Sequence, residues 1–101
     1  MAAVGLTGKQ RKFLKAAGSG LNPLVLVGKA GVGPTVITGA GEALAVYELI
    51  KVRILPNCPV APAPALTALA GALGAELVQI IGRNGLLYKP NPESQKIGFP
   101  E

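Results

Sequence analysis

Apolar residues recur along this chain at two spacings, near 3.6 and at 2, and the changes between them mark out seven elements. From Thr7 to Ala17, TGKQRKFLKAA, a helical projection puts Phe13, Leu14 and Ala17 on one stripe. Arg11, Lys12 and Lys15 lie opposite, with Lys9 at the flank. Thr7 with Gln10 three residues on forms a capping box, and Gly18 and Gly20 end the helix. This helix should dock through Phe13 and Leu14 and show its bases to solvent. The apolar run Leu24 to Val27 predicts a short buried strand after Asn22-Pro23. Pro34 suits the first position of a second helix, whose inner face is Val36, Ile37, Ala40, Leu44 and Tyr47. Gly39 and Gly41 weaken it by about 1 kcal/mol each relative to Ala, so packing must hold it.

Glu48 to Leu55, ELIKVRIL, alternates as a strand does. Ile50, Val52 and Ile54 face one way; Leu49, Lys51, Arg53 and Leu55 face the other. Pro56 to Pro64 holds four prolines in nine residues and reads as an extended loop. Ala65 to Leu73 is a helix with Leu66, Leu69 and Leu73 on one stripe, stopped by Gly74. Two more strands, Glu76 to Ile81 and Leu86 to Lys89, flank Gly82-Arg83-Asn84-Gly85, a hairpin with Arg83 at its tip. From Pro90 the chain is a tail, anchored by Ile97 and Phe99. The order αβαβαββ implies an α/β fold, a two-layer arrangement with helices packed on a mixed four-stranded sheet. Residues 1–101 make one domain, with 1–6 and 91–101 as loose termini.

Composition narrows the chemistry. No apolar run approaches the roughly 20 residues of a membrane-spanning helix, and no signal peptide is apparent, so a soluble cytoplasmic protein is expected. One cysteine, Cys58, and no histidine argue against a disulfide framework, a zinc site and imidazole catalysis. No cofactor, metal or small-molecule substrate is expected.

Charge changes the picture more. Residues 1–41 carry Lys9, Arg11, Lys12, Lys15 and Lys29 and no acid, and the rest of the chain is neutral, so the net charge of +5 lies wholly in the first part. Such asymmetry points to a polyanion, although a solvated basic helix would look the same. Lys51 and Arg53, two bases on one strand face, and Arg83 are further candidates. Glycine pairs three apart occur at Gly5/Gly8, Gly28/Gly31, Gly71/Gly74 and Gly82/Gly85, about twice the number that 14 glycines give by chance. Only Gly28-Lys29-Ala30-Gly31 follows a strand, precedes a helix and carries a base. Small residues around one lysine let backbone N–H groups approach a phosphate strand, as a GxxG loop does in KH domains.

Several stretches together resemble a known family. LTGKQRKFLKAAGSGLNPLVLVGKAGVG, EALAVYELIKVRI, VQIIGRNGLLYKP and KIGFP are similar, in order and spacing, to the YhbY-like or CRM (chloroplast RNA splicing and ribosome maturation) RNA-binding domain. The resemblance implies an αβαβαββ fold similar to the C-terminal domain of bacterial translation initiation factor three. It also implies association with precursors of the large ribosomal subunit or, in plant organelles, intron splicing. By it, Gly28, Lys29, Ala30 and Gly31 take the place of the RNA-contacting loop, beside the basic first helix. Two departures stand out: APALTALAGALGA carries no charge, and Gly33-Pro34 replaces a Thr-containing helix start.

The resulting expectation is a monomeric, non-enzymatic RNA-binding protein, acting on large-subunit rRNA precursors through Lys9, Arg11, Lys12, Lys15 and the Gly28–Gly31 loop. With four aromatic residues, and Phe13 and Tyr47 read as core, recognition should rest on RNA shape and backbone rather than stacked bases. A protein-interaction module would instead use the uncharged helix 65–73 or the proline loop 56–64. An RNA-splicing cofactor is a further alternative. A phosphate-substrate enzyme would need Glu42 or Glu48 as base in a deep pocket.

Overall fold

A computed structural model describes residues 6–91 and 98–99. The order is α1 (Gly8–Gly18), β1 (Pro23–Val27), α2 (Pro34–Tyr47), β2 (Leu49–Ile54), α3 (Pro62–Leu73), β3 (Glu76–Ile81) and β4 (Asn84–Tyr88), the αβαβαββ order expected. The sheet runs β1-β2-β4-β3, with β1 parallel to β2 and the other pairs antiparallel.

Strand alternation divides the core. Val27, Ile50, Val52, Ile54 and Leu87 meet Ala40 and Leu44 of α2 and Ala65, Leu66 and Leu69 of α3. On the opposite face Leu49, Val78, Leu86 and Tyr88 meet Leu14 of α1, with Leu6, Phe13 and Phe99 around them. The two-layer description holds for α2 and α3 on the sheet, and α1 covers part of the other face. Truncating Leu14, which is fully buried, to Ala should cost about 2–5 kcal/mol.

Several local expectations need correction. The capping box forms, with the Gln10 N–H donating to Thr7 Oγ1 and the Thr7 N–H to Gln10 Oε1, each at 3.1 Å. The buried stripe of α1, however, is Leu14 and Gly18, while Ala17 is exposed. Gly18 is needed there because a Cβ would come within 2.5 Å of the Leu86 methyls. β1 is an edge strand rather than a buried one, with Leu24 and Leu26 more than half exposed. The proline loop is shorter than read: α3 starts at Pro62 and takes in Pro64, since the first helical turn has no internal partner for the N–H groups proline lacks.

Tyr47 is exposed, and Glu48 takes the inward place at the end of α2 instead. Glu48 is the helix cap, with φ 63, rather than the start of β2. Its carboxylate accepts from the Asn91 N–H, and its carbonyl from the Lys89 N–H at 2.9 Å. Tyr88 is the core aromatic, and Phe99 sits edge-on to Tyr88 and Phe13 with ring centroids 5.7 and 5.6 Å away. The expected anchor at Phe99 is therefore present, while Ile97 lies outside the described residues. The hairpin turns on Gly82-Arg83, not Asn84-Gly85: Ile81 pairs with Asn84, and only Gly82 has positive φ, 58, as a type II′ turn requires.

Candidate nucleic-acid interface

The chain leaves β1 at Val27 and turns at once. The Gly31 N–H donates to the Gly28 carbonyl at 2.9 Å, closing a four-residue turn with Lys29 and Ala30 exposed at its centre. Gly31 has φ 70, where a side chain would strain the backbone. Gly28 is glycine for a different reason: a Cβ there would stand 3.3 Å from Asn57 Oδ1 and 3.4 Å from Leu55 Cδ1. Both glycines thus have reasons within the fold. Among the described residues the N–H groups of Lys29, Ala30 and Val32 have no protein acceptor. Gly33 follows as the N-cap of α2 with no side-chain cap, ahead of Pro34. A cation, open N–H groups and the positive end of a helix dipole therefore occur in one short segment, a combination suited to phosphate.

The other candidate bases divide. Lys9, Lys12 and Lys15 are exposed on α1. Arg11 departs from the expected solvent-facing pattern. Its Nη2 pairs with Glu76 Oε2 at 2.6 Å, and its Nη1 donates to the Leu77 and Val78 carbonyls at 3.3 and 3.1 Å. It ties α1 to β3. Arg83 also turns inward from the hairpin tip, with Nε donating to the Ile54 carbonyl at 2.7 Å and Nη2 to the Leu55 carbonyl at 2.8 Å. A guanidinium can span two adjacent carbonyls in this way, which a lysine cannot. Both arginines are held by the fold.

Lys51 and Arg53 lie on the sheet face that carries α1, in a part the helix leaves open. Arg53 is exposed, in register with Leu26 on one side and Asn84 on the other. Lys51 borders a hollow of about 180 Å³ with Gly18 and Ser19 of α1 and Gln79, Ile81 and Asn84 of the hairpin. Gln79 and Asn84 were not among the expected site residues. Alternation with Leu86 would have put Asn84 on this face once the turn was placed at Gly82-Arg83, but Gln79 joins Val78 there only through the register shift between Leu77 and Gln79.

The carboxylates make no catalytic arrangement with the turn. Glu48 is fully buried and engaged with Asn91, while Glu42 borders a shallow hollow on α2 with Pro34, Thr35, Thr38 and Gly39. Burial, and after it the charge of Glu48, pushes the Tyr88 phenol above its ordinary pKa. The uncharged helix turns Leu66 and Leu69 into the core, leaving mainly small residues outside.

Comparison with known proteins shows the family. Residues 6–89 match the model of the CRS1 / YhbY (CRM) domain. The chain is 41% identical to "Probable RNA-binding protein YqeI" of Bacillus subtilis over 95 residues, 94% of this chain and 99% of that one. It is 35% identical to a Haemophilus influenzae protein named "RNA-binding protein", over 94% of this chain and 95% of that one. Among solved structures, that of the hypothetical protein SAV1595 from Staphylococcus aureus superposes with a TM-score of 0.78 at 32% identity, covering 95% of this chain and all of that one.

Proposed function

The chain belongs to the CRS1 / YhbY (CRM) domain family, and from that premise we propose that it binds RNA and acts, without catalysis, in assembly of the large ribosomal subunit. The observation that carries this reading is the Gly28–Gly31 turn, with Lys29 and Ala30 exposed at its centre and open N–H groups beside an uncapped helix start. The names of the relatives support RNA as the partner class.

The mechanism is electrostatic capture followed by backbone fit. Lys9, Lys12 and Lys15 draw in the phosphate strand. Lys29 and the N–H groups of the turn then hold one phosphate closely. Arg53 extends the contact onto the sheet. Arg11 and Arg83 hold the surface in shape and take no phosphate. The chain acts as a monomer in the cytoplasm, and precursor rRNA of the large subunit is its substrate RNA.

Crosslinking the protein to RNA in cells and sequencing the bound fragments tests this reading. Enrichment of large-subunit rRNA is expected. Enrichment of introns or transfer RNA would keep RNA binding and discard the assembly role, and absence of RNA would discard both.

A further inference from the structure

The hollow between the end of α1 and the β3–β4 hairpin is a different kind of surface from the lysine turn. We infer that it takes one unstacked RNA base and reads its polar edge with the side-chain amides of Asn84 and Gln79. This inference rests on the RNA-binding reading and adds base recognition to it.

Size sets the first limit. About 180 Å³ equals roughly six water molecules at about 30 Å³ each, below the roughly 300 Å³ at which drug-sized pockets begin. One heterocycle is the matching occupant. Ile81, 64% exposed, gives an apolar wall on one side, and Leu86, packed against Gly18, closes the other.

Polarity sets the second. Asn84 Oδ1 is buried and has no hydrogen-bond partner among the described residues. A buried acceptor left unmade is costly, so a turn of the Asn84 amide into the hollow, where a base donor can meet its oxygen, is favoured. The C-terminal end of α1, at Gly18 and Ser19, carries the negative end of the helix dipole. That disfavours a phosphate inside the hollow and favours N–H groups. Lys51, the one cation lining it among the described residues, offers a donor to a base oxygen or ring nitrogen, or to the flanking phosphate. Every RNA base presents donors and acceptors together on its Watson–Crick edge, and Asn and Gln amides are matched to such mixed edges. Among the described residues no aromatic ring lines the hollow, so its contribution is hydrogen bonding and aliphatic contact rather than stacking.

The test is a ¹H–¹⁵N titration of the whole chain with short single-stranded rA, rC and rU homopolymers and a guanosine-containing oligomer, following side-chain and backbone amides together. The side-chain NH₂ signals of Asn84 and Gln79 should move with at least one RNA and move unequally across the set. Asn84→Ala should weaken the preferred RNA about tenfold and the others by less than about twofold. Gln79→Ala, at a half-exposed position, should give the same selective loss if the Asn84 variant fails to fold. Movement at Lys29 and Ala30 with Asn84 and Gln79 unmoved, or equal weakening of all RNAs, would overturn the base site and leave RNA binding intact. A chain whose spectrum no RNA changes would overturn the binding reading and the base site with it.

Discussion

The turns Gly28-Lys29-Ala30-Gly31 and Gly82-Arg83-Asn84-Gly85 share two glycines three apart around a single base, and both sit against the end of β2. Leu55 touches each of them: it lies beside Gly28, and its carbonyl accepts from Arg83. They differ in what lies within reach of the base. Arg83 finds the Ile54 and Leu55 carbonyls and becomes part of the sheet end, whereas Lys29 is exposed on the turn that follows an edge strand. The glycines follow suit. Gly85 is buried with a Leu66 methyl 2.7 Å from where a Cβ would stand, while Gly31, also buried, would meet nothing nearer than Pro59 at 3.6 Å and is set apart by its positive φ. A motif of this kind is a fold device or a binding device according to its neighbours.

Substitutions should separate the two turns in proportion. The largest effect is expected at Gly85, where a Cβ would stand 2.7 Å from a Leu66 methyl carbon. Gly85→Val should lower unfolding free energy in urea by about 3 kcal/mol, and Ala30→Val by less than about 0.5 kcal/mol. Next, Arg83→Ala removes a donor from the Ile54 carbonyl and one of two from the Leu55 carbonyl, which keeps the Cys58 N–H, and should cost about 1–2 kcal/mol, while Lys29→Ala should stay within about 0.5 kcal/mol. Equal losses in either pair would erase the distinction.

A smaller effect is linked to pH on the hairpin side. The Tyr88 phenol has a pKa raised above its unfolded value of 10.0, by burial first and Glu48 second. The folded chain then keeps a proton that the unfolded chain releases. Stability from this group is therefore present below about pH 10 and lost as pH rises toward the folded pKa. Denaturant midpoints across that range should fall with pH, and Tyr88→Phe should remove this component of the slope.

Periodicity made the element order readable, because α2, α3 and β2 bury continuous stripes. Period-2 spacing on β2 also correctly separated Ile50, Val52 and Ile54 from Lys51 and Arg53. What escaped it depends on contacts distant in sequence. Arg11 looked like one more surface base because its acid, Glu76, is 65 residues away. Leu24 and Leu26 looked buried because strand order, not composition, put β1 at the edge. Tyr47 and Tyr88 exchanged roles because Glu48 ended α2 with an inward carboxylate. The turn at Lys29 was legible as a candidate from its place between strand and helix. The purpose of its glycines was not, since Asn57 meets Gly28 only in the folded chain.

The central claim, that Lys29 acts on RNA while Arg83 acts on the fold, is tested most directly by the salt dependence of binding to single-stranded RNA. If Lys9, Lys12, Lys15 and Lys29 each neutralise one phosphate, log K should fall against log salt with a slope of about −3. Lys29→Ala should make that slope shallower by about 0.7, and Arg83→Ala, measured where it remains folded, should leave it unchanged. A slope near zero, or one that Arg83→Ala alters and Lys29→Ala does not, would contradict the account.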